Sequence, residues 1–287
     1  MTIVTSVAVF AGLTFALASM IVIANRWLHV HEDPRIDRVE SMLPHTNCGA
    51  CGYPGCRAFA EALVRGETLP VKCTVGTAGD HVKIATFLGV DVGTQAKQVA
   101  RLACAGGSNV ARNRAHYEGL GSCAAAALVA GGGKACFWGC LGLADCERAC
   151  DFDAIEMNVH QIPVVDEDRC TACGDCVEAC PKDLFSLHPA NQRLWVACAS
   201  LAEGDEILSD CEVACTGCGR CAMDAPVQIQ MKHHLPVIDY SKGSLSAMPT
   251  QRCPTGAIVW LDKTLGPVKG QAAKKIIRQG NVREGVS

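Results

Sequence analysis

The sequence has almost no excess of charge. Its 287 residues carry 26 Lys and Arg against 29 Asp and Glu, a formal net charge of −3. A nucleic-acid-binding surface needs a basic patch or stripe, so no nucleic-acid partner is expected. Aromatic residues are scarce, at 5%, yet hydrophobic residues make up 49%, which excludes a disordered chain. No Gly-rich loop opens a helix after a strand-like run. Gly131, Gly132 and Gly133 stand just before Cys136 and read as a turn, so no nicotinamide or flavin site is expected on this chain. No nucleophile–base pair stands out either. His160, His188, His233 and His234 lie near cysteine-rich loops without motif context, and no catalytic residue is assigned.

Charge is wholly absent from residues 2–24, TIVTSVAVFAGLTFALASMIVIA. At helical rise this stretch spans the hydrocarbon core of a bilayer. No Lys or Arg precedes it, whereas Arg26, Arg35 and Arg38 follow. The positive-inside rule then places the N-terminus outside and the rest of the chain in the cytoplasm. A cleaved signal peptide, the alternative, would have a basic start and a shorter apolar run. Residues 28–43 are polar and read as a linker in which His29 and His31 are solvated.

What the chain has in abundance is cysteine, 20 in all. A disulfide scaffold would use scattered pairs. Here the spacing is tight. Cys170, Cys173, Cys176 and Cys180 form C-x2-C-x2-C-x3-C with Pro181 next. Three such thiolates on one loop can hold three corners of a [4Fe–4S] cube, the fourth serving a neighbouring cluster. Zinc prefers four ligands in two separated pairs and suits this run poorly. Cys48, Cys51 and Cys56 lie among glycines in NCGACGYPGC, residues 57–65 read as a short amphipathic helix with Phe59, Leu63 and Val64 apolar, and Cys73 closes the set. This is a self-contained four-Cys unit, with structural zinc as its alternative. Residues 74–100 show only turn signals at Gly76, Gly79, Gly89 and Gly93, and 97–104 open a strand that delivers Cys104.

Residues 123–258 repeat internally. Cys123, Cys136, Cys140 and Cys146 each recur 75 residues later as Cys198, Cys211, Cys215 and Cys221. Each half then has a β-like piece, IPVVD at 162–166 and LPVID at 235–239, before a second Cys motif. Such duplication implies two tandem modules, each a small α+β unit in which metal binding contributes to folding. In the second half Cys215, Cys218 and Cys221 take Cys253 as their remote partner. The other set of that half would need positions 225, 243, 246 and 249, which are Ala225, Gly243, Ser246 and Pro249. That cavity is expected to be filled by protein. In the first half Cys150 joins Cys170, Cys173 and Cys176. The companion set takes Cys140, Cys146 and Cys180, with Leu143 at the fourth motif position and Cys136 as the nearest substitute. Cys104, Cys123, Cys198 and Cys211 are left over. They form either a fifth set between the modules or ordinary buried thiols, and Cys123 and Cys136 are interchangeable in this reading.

The order of an uncharged N-terminal helix, NCGACGYPGC with its later Cys, GLGSC…KACFWGCLGLADCERAC and CTACGDCVEACP resembles the RnfB family, one of the subunits of the Rnf complexes. These complexes are membrane-bound ferredoxin:NAD oxidoreductases that couple electron transfer to Na⁺ or H⁺ translocation. The resemblance runs from residue 1 to about 262 and implies a multi-[4Fe–4S] electron-transfer subunit in a bacterial or archaeal cytoplasmic membrane. It would relay electrons from soluble ferredoxin to the other subunits of the complex. The residue assignment gives four [4Fe–4S] clusters, and a fifth if Cys104, Cys123, Cys198 and Cys211 form a set and not ordinary buried thiols. The degenerate motif at 243–253 departs from the family pattern. A reductive activator of a corrinoid enzyme is the alternative, since such proteins share the first four-Cys unit. The expected fold is α+β: an anchor at 1–27, a linker at 28–43, the four-Cys domain at 44–100, ferredoxin-like modules at 101–190 and 191–262, and a basic tail at 263–287.

Overall fold

The computed structural model describes residues 2–27, 33–243 and 245–274. It mixes helices with short strands. Helix α1, Thr2–Trp27, holds the charge-free run. Among the described residues it is the one helix long and apolar enough to cross a membrane, and no residue of Thr5–Trp27 is buried in the protein.

The first cysteine unit begins earlier than its composition suggests. Asp33 caps helix α2, Pro34–Glu40, by accepting the Arg35 N–H. One face of α2 carries Val39, which with Leu43 packs against Phe59, Ala60 and Leu63. Those three residues lie on α3, Cys56–Val64. Full burial of each large apolar side chain contributes about 1.5–3 kcal/mol. Arg57 on α3 closes the contact with ion pairs to Asp37 and Glu40. Residues 34–43 are therefore part of this unit and not a linker. They read as polar because only one face is buried. Residues 28–32, with His29 and His31, lie outside the described residues.

Residues 78–88 form a helix, α4 (Ala78–Leu88), where the sequence suggested turns. Gly79 misleads, because it lies within the first turn. The ends do carry helix signals. Thr77 and Asp80 form a reciprocal capping box, and Gly89 stops the helix in the left-handed region at φ 69°.

Two halves follow with the same order of elements, except that helix α5 of the first has no α-helical counterpart in the second. The first runs β1 (Gln98–Leu102), α5 (Cys123–Leu128), α6 (Asp145–Arg148), β2 (Ile155–Met157), β3 (Pro163–Val165), α7 (Asp175–Glu178) and β4 (Phe185–Pro189). The second runs β5 (Leu194–Val196), α8 (Arg220–Asp224), β6 (Ile229–Lys232), β7 (Leu235–Ile238), α9 (Met248–Gln251) and β8 (Ile258–Asp262). The outer strands pair antiparallel, Ala100 opposite Leu187 in one half and Trp195 opposite Val259 in the other. The inner strands make the hairpins β2–β3 and β6–β7. Strand β1 straddles the expected boundary at 100/101. A further strand, β9 (Gly266–Val268), pairs with β8, so the second half reaches past 262. The Lys274 N–H also reaches the Pro254 carbonyl, so the start of the expected tail is attached. Residues 275–287 lie outside the described residues.

The halves are laced together. Ala105 N–H donates to Ala197 O at 3.0 Å, Arg112 N–H to Asp210 O at 2.8 Å and Glu212 N–H to Val110 O at 2.9 Å. The Trp195 indole donates to Leu102 O at 2.8 Å. These bonds surround Cys104, Cys198 and Cys211.

Candidate metal centres

Four cavities are each lined by four cysteines. Cys48, Cys51, Cys56 and Cys73 line one in the first unit. Cys150, Cys170, Cys173 and Cys176 line one in the first half. Cys215, Cys218, Cys221 and Cys253 line one in the second. The fourth cavity lies between the halves and is lined by Cys104, Cys136, Cys198 and Cys211. Cys136 thus takes the place the remainder assigned to Cys123. Cys123 lies instead on the first-half side, where its thiol and that of Cys180 sit close enough to Cys146 to raise its pKa. Cys123 likewise acts on Cys140. With sixteen cysteines lining the four cavities, Cys123, Cys140, Cys146 and Cys180 are left as the fifth grouping by remainder. The exchange follows from the strand-like contact between Ala111 and Cys211, which brings the 104–112 segment and the Cys136 loop to the other half.

Local chemistry explains how each loop is held. In the first unit the Asn47 side-chain oxygen accepts the Cys56 N–H at 2.8 Å. A Cβ at Gly55 would stand 3.0 Å from that oxygen, so glycine leaves room for it. His81 on α4 hydrogen-bonds the Cys73 carbonyl at 2.9 Å. In the first half Asp145 accepts from Ser122 Oγ at 3.0 Å and from the Ala124 N–H at 2.9 Å. This ties α5, which starts at Cys123, to α6, which carries Cys146. Burial pushes the Asp145 carboxyl up, but the Ala124 and Cys123 N–H groups outweigh it and hold it below its ordinary value. Motif reading missed Asn47, His81 and Asp145, because each acts across a gap of several residues with no fixed spacing.

The thiols are strongly perturbed. Burial, then neighbouring thiols, push Cys146 and Cys176 up to about 12. Burial likewise lifts Cys140, Cys198 and Cys211 to about 12 and Cys215 and Cys221 to about 11. Grouped, buried thiols of this kind stay protonated without a cation and release protons when they take one. Several sulfurs also accept backbone N–H groups: Cys170 from Ala100 and Cys150 from Ala154, both at 3.4 Å. Cys104 accepts from Gly106 and Cys140 at 3.4 Å, and Cys198 from Ser200 at 3.4 Å and Cys215 at 3.3 Å. A thiol hardly needs such bonds, whereas cluster-bound sulfur is tuned by them. Among the described residues no three His, Cys, Asp or Glu side chains are placed to hold a single metal ion. The donor set of each cavity, four cysteine thiols, is the one that holds a [4Fe–4S] cube.

In the second half the counterpart of the Cys150 set is closed. Ala225 and Leu245 pack with Leu194, Ile229, Ile258 and Trp260.

The comparisons with known proteins agree with this chemistry. Residues 43–75 match the FeS family model, an Fe-S cluster domain, and residues 163–185 match the 4Fe-4S binding domain. The chain is 38% identical to the B subunit of the Na(+)-translocating ferredoxin:NAD(+) oxidoreductase complex of Acetobacterium woodii, over 86% of this chain and 74% of the relative. It is 35% identical to the B subunit of the ion-translocating oxidoreductase complex of Methanosarcina acetivorans, over 89% and 97%. It is 36% identical to the B subunit of the proton-translocating ferredoxin:NAD(+) oxidoreductase complex of Clostridium ljungdahlii, over 86% and 88%. With most of both chains aligned in all three cases, the protein belongs to the RnfB family of the ion-translocating ferredoxin:NAD(+) oxidoreductase complexes.

Proposed function

We propose that the chain is a membrane-anchored electron relay whose five cysteine sets each hold a [4Fe–4S] cluster. The observation that carries this reading is the continuity of the sets across the two halves. The Cys140 N–H bonds Cys104 Sγ, and the Cys215 N–H bonds Cys198 Sγ. One hydrogen bond therefore links the inner first-half set to the set between the halves, and a second links that set to the second-half one. When bound, such clusters supply one-electron transfer at iron.

The chain's own residues do the rest. Thiolates hold the iron, buried apolar neighbours such as Ile155, Phe185, Ile207 and Val213 exclude water, and backbone N–H groups offset charge on sulfur. Each half serves as a ferredoxin-like module, the first with two sets and the second with one. Helix α1 would tether the relay to the cytoplasmic membrane, with the N-terminus outside, because Arg26, Arg35 and Arg38 follow it. The names of two relatives mention ferredoxin and NAD(+) for their complexes; in this reading soluble ferredoxin is the donor and other subunits of the complex are the acceptors, where nicotinamide and flavin chemistry would reside.

Anaerobic mixing of the purified, iron-loaded chain with reduced ferredoxin tests the role. Bleaching of the visible cluster absorbance, with matching oxidation of ferredoxin, is expected. A chain that dithionite bleaches but reduced ferredoxin does not would contradict it.

A further inference from the structure

Lys134 belongs to no cysteine motif, yet it lines the cavity between the halves. Its ammonium donates to the Gly106 carbonyl and, at 2.6 Å, to the Cys140 carbonyl. These same two residues give their backbone N–H groups to Cys104 Sγ, both at 3.4 Å. The ammonium thus clamps the two segments whose amides face one sulfur. The approach is close and leaves little slack. A Cβ at Gly139 would stand 3.1 Å from the Lys134 side chain, and one at Gly106 would stand 3.1 Å from Cys211 Sγ. Gly106 and Gly139 give the space in which lysine and sulfur share the site.

Lys134 shares the lining of this cavity with Cys104, Cys136, Cys198 and Cys211. Asp210, which precedes Cys211 in the chain, carries the opposite charge. Lys182 is a second cation within reach of Cys136, but it is tied to the Phe137 carbonyl at 2.9 Å and stacked over the Phe137 ring.

We propose that Lys134 is a positioning residue that sets the reduction potential of the cluster held by Cys104, Cys136, Cys198 and Cys211. The proposal rests on the reading that these four thiols hold a cluster. A reduced cluster carries one more negative charge than an oxidised one. A fixed cation and well-aimed N–H donors favour the reduced form and raise the potential. Lys134 then favours residence of the electron on the set between the halves.

The test is an EPR-monitored redox titration of the intact, iron-loaded chain, with the signal assigned by its disappearance in Cys136→Ser. Lys134→Met is expected to shift that signal alone to lower potential. Lys134→Arg should restore most of the shift, and Asp210→Asn should move the signal to higher potential. An unmoved potential in Lys134→Met with full iron content would overturn the role of Lys134 while leaving the cluster in place. If Lys134→Met loses iron, Asp210→Asn decides, and an unmoved or lowered potential there overturns the proposal. A wild-type chain without the signal that Cys136→Ser should remove would sink the underlying cluster reading as well.

Discussion

The two halves of the cysteine-rich region share an antiparallel outer strand pair and an inner hairpin, yet they fill their interiors differently. In the first half, Ala100, Ile155 and Phe185 pack around Cys146 and Cys176, with Cys150, Cys170 and Cys180 at the edge. In the second, Leu194, Ile229 and Ile258 pack with Cys221, Ala225, Leu245 and Trp260, and Cys221 and Cys253 are the only cysteines of the cluster among the described residues. Position 225 corresponds to Cys150, and its substitution by Ala goes with the absence of cysteine at 243, 246 and 249. On the proposed reading, a metal-binding cavity and an apolar core are alternative ways of holding one hairpin against one strand pair. The first would draw folding free energy from metal–thiolate bonds, whereas the second draws it from buried hydrocarbon.

The sharpest way to break this comparison uses Cys136 and Cys123, which exchange roles between sequence and structure. Cys136→Ser and Cys123→Ser should each lose about four iron per chain, the content of one cube. Cys136→Ser should also loosen the halves, seen as faster hydrogen exchange at the Ala105 and Glu212 amides. Cys123→Ser should leave those amides protected. The opposite pattern would return Cys123 to the set between the halves. A smaller effect is expected from Leu245→Ala. It opens space where the first half has a cysteine set, and should cost about 2 kcal/mol of stability in the second half with no change in iron content. Iron loss in Leu245→Ala would mean that this side chain supports the Cys215 set and does not merely replace a missing one.

Much of this was legible because the ligands of one loop are close in sequence. Cys170, Cys173 and Cys176 must lie near each other on any backbone, and the recurrence of Cys140 and Cys146 at Cys215 and Cys221 exposed the duplication. The choice between Cys123 and Cys136 was not legible, since both precede Cys140 and only the packing of Ala111 against Cys211 decides it. Helix α2 hid for a similar reason. Its buried Val39 gains meaning only beside Phe59, from a helix later in the chain. Helix α4 could have been found from Thr77, Asp80 and Gly89, but Gly79 argued against it. Lys134 carries no sequence signal at all, because its partners are backbone carbonyls at Gly106 and Cys140.

The central claim is that all 20 cysteines are ligands in five sets, one of them shared between the halves. Anaerobic determination of iron and acid-labile sulfide on the fully loaded chain tests it most directly. The account predicts about twenty iron and about twenty sulfide per chain, five cubes of four each. A reproducible value near sixteen, with Cys104 readily alkylated in the loaded protein, would contradict it.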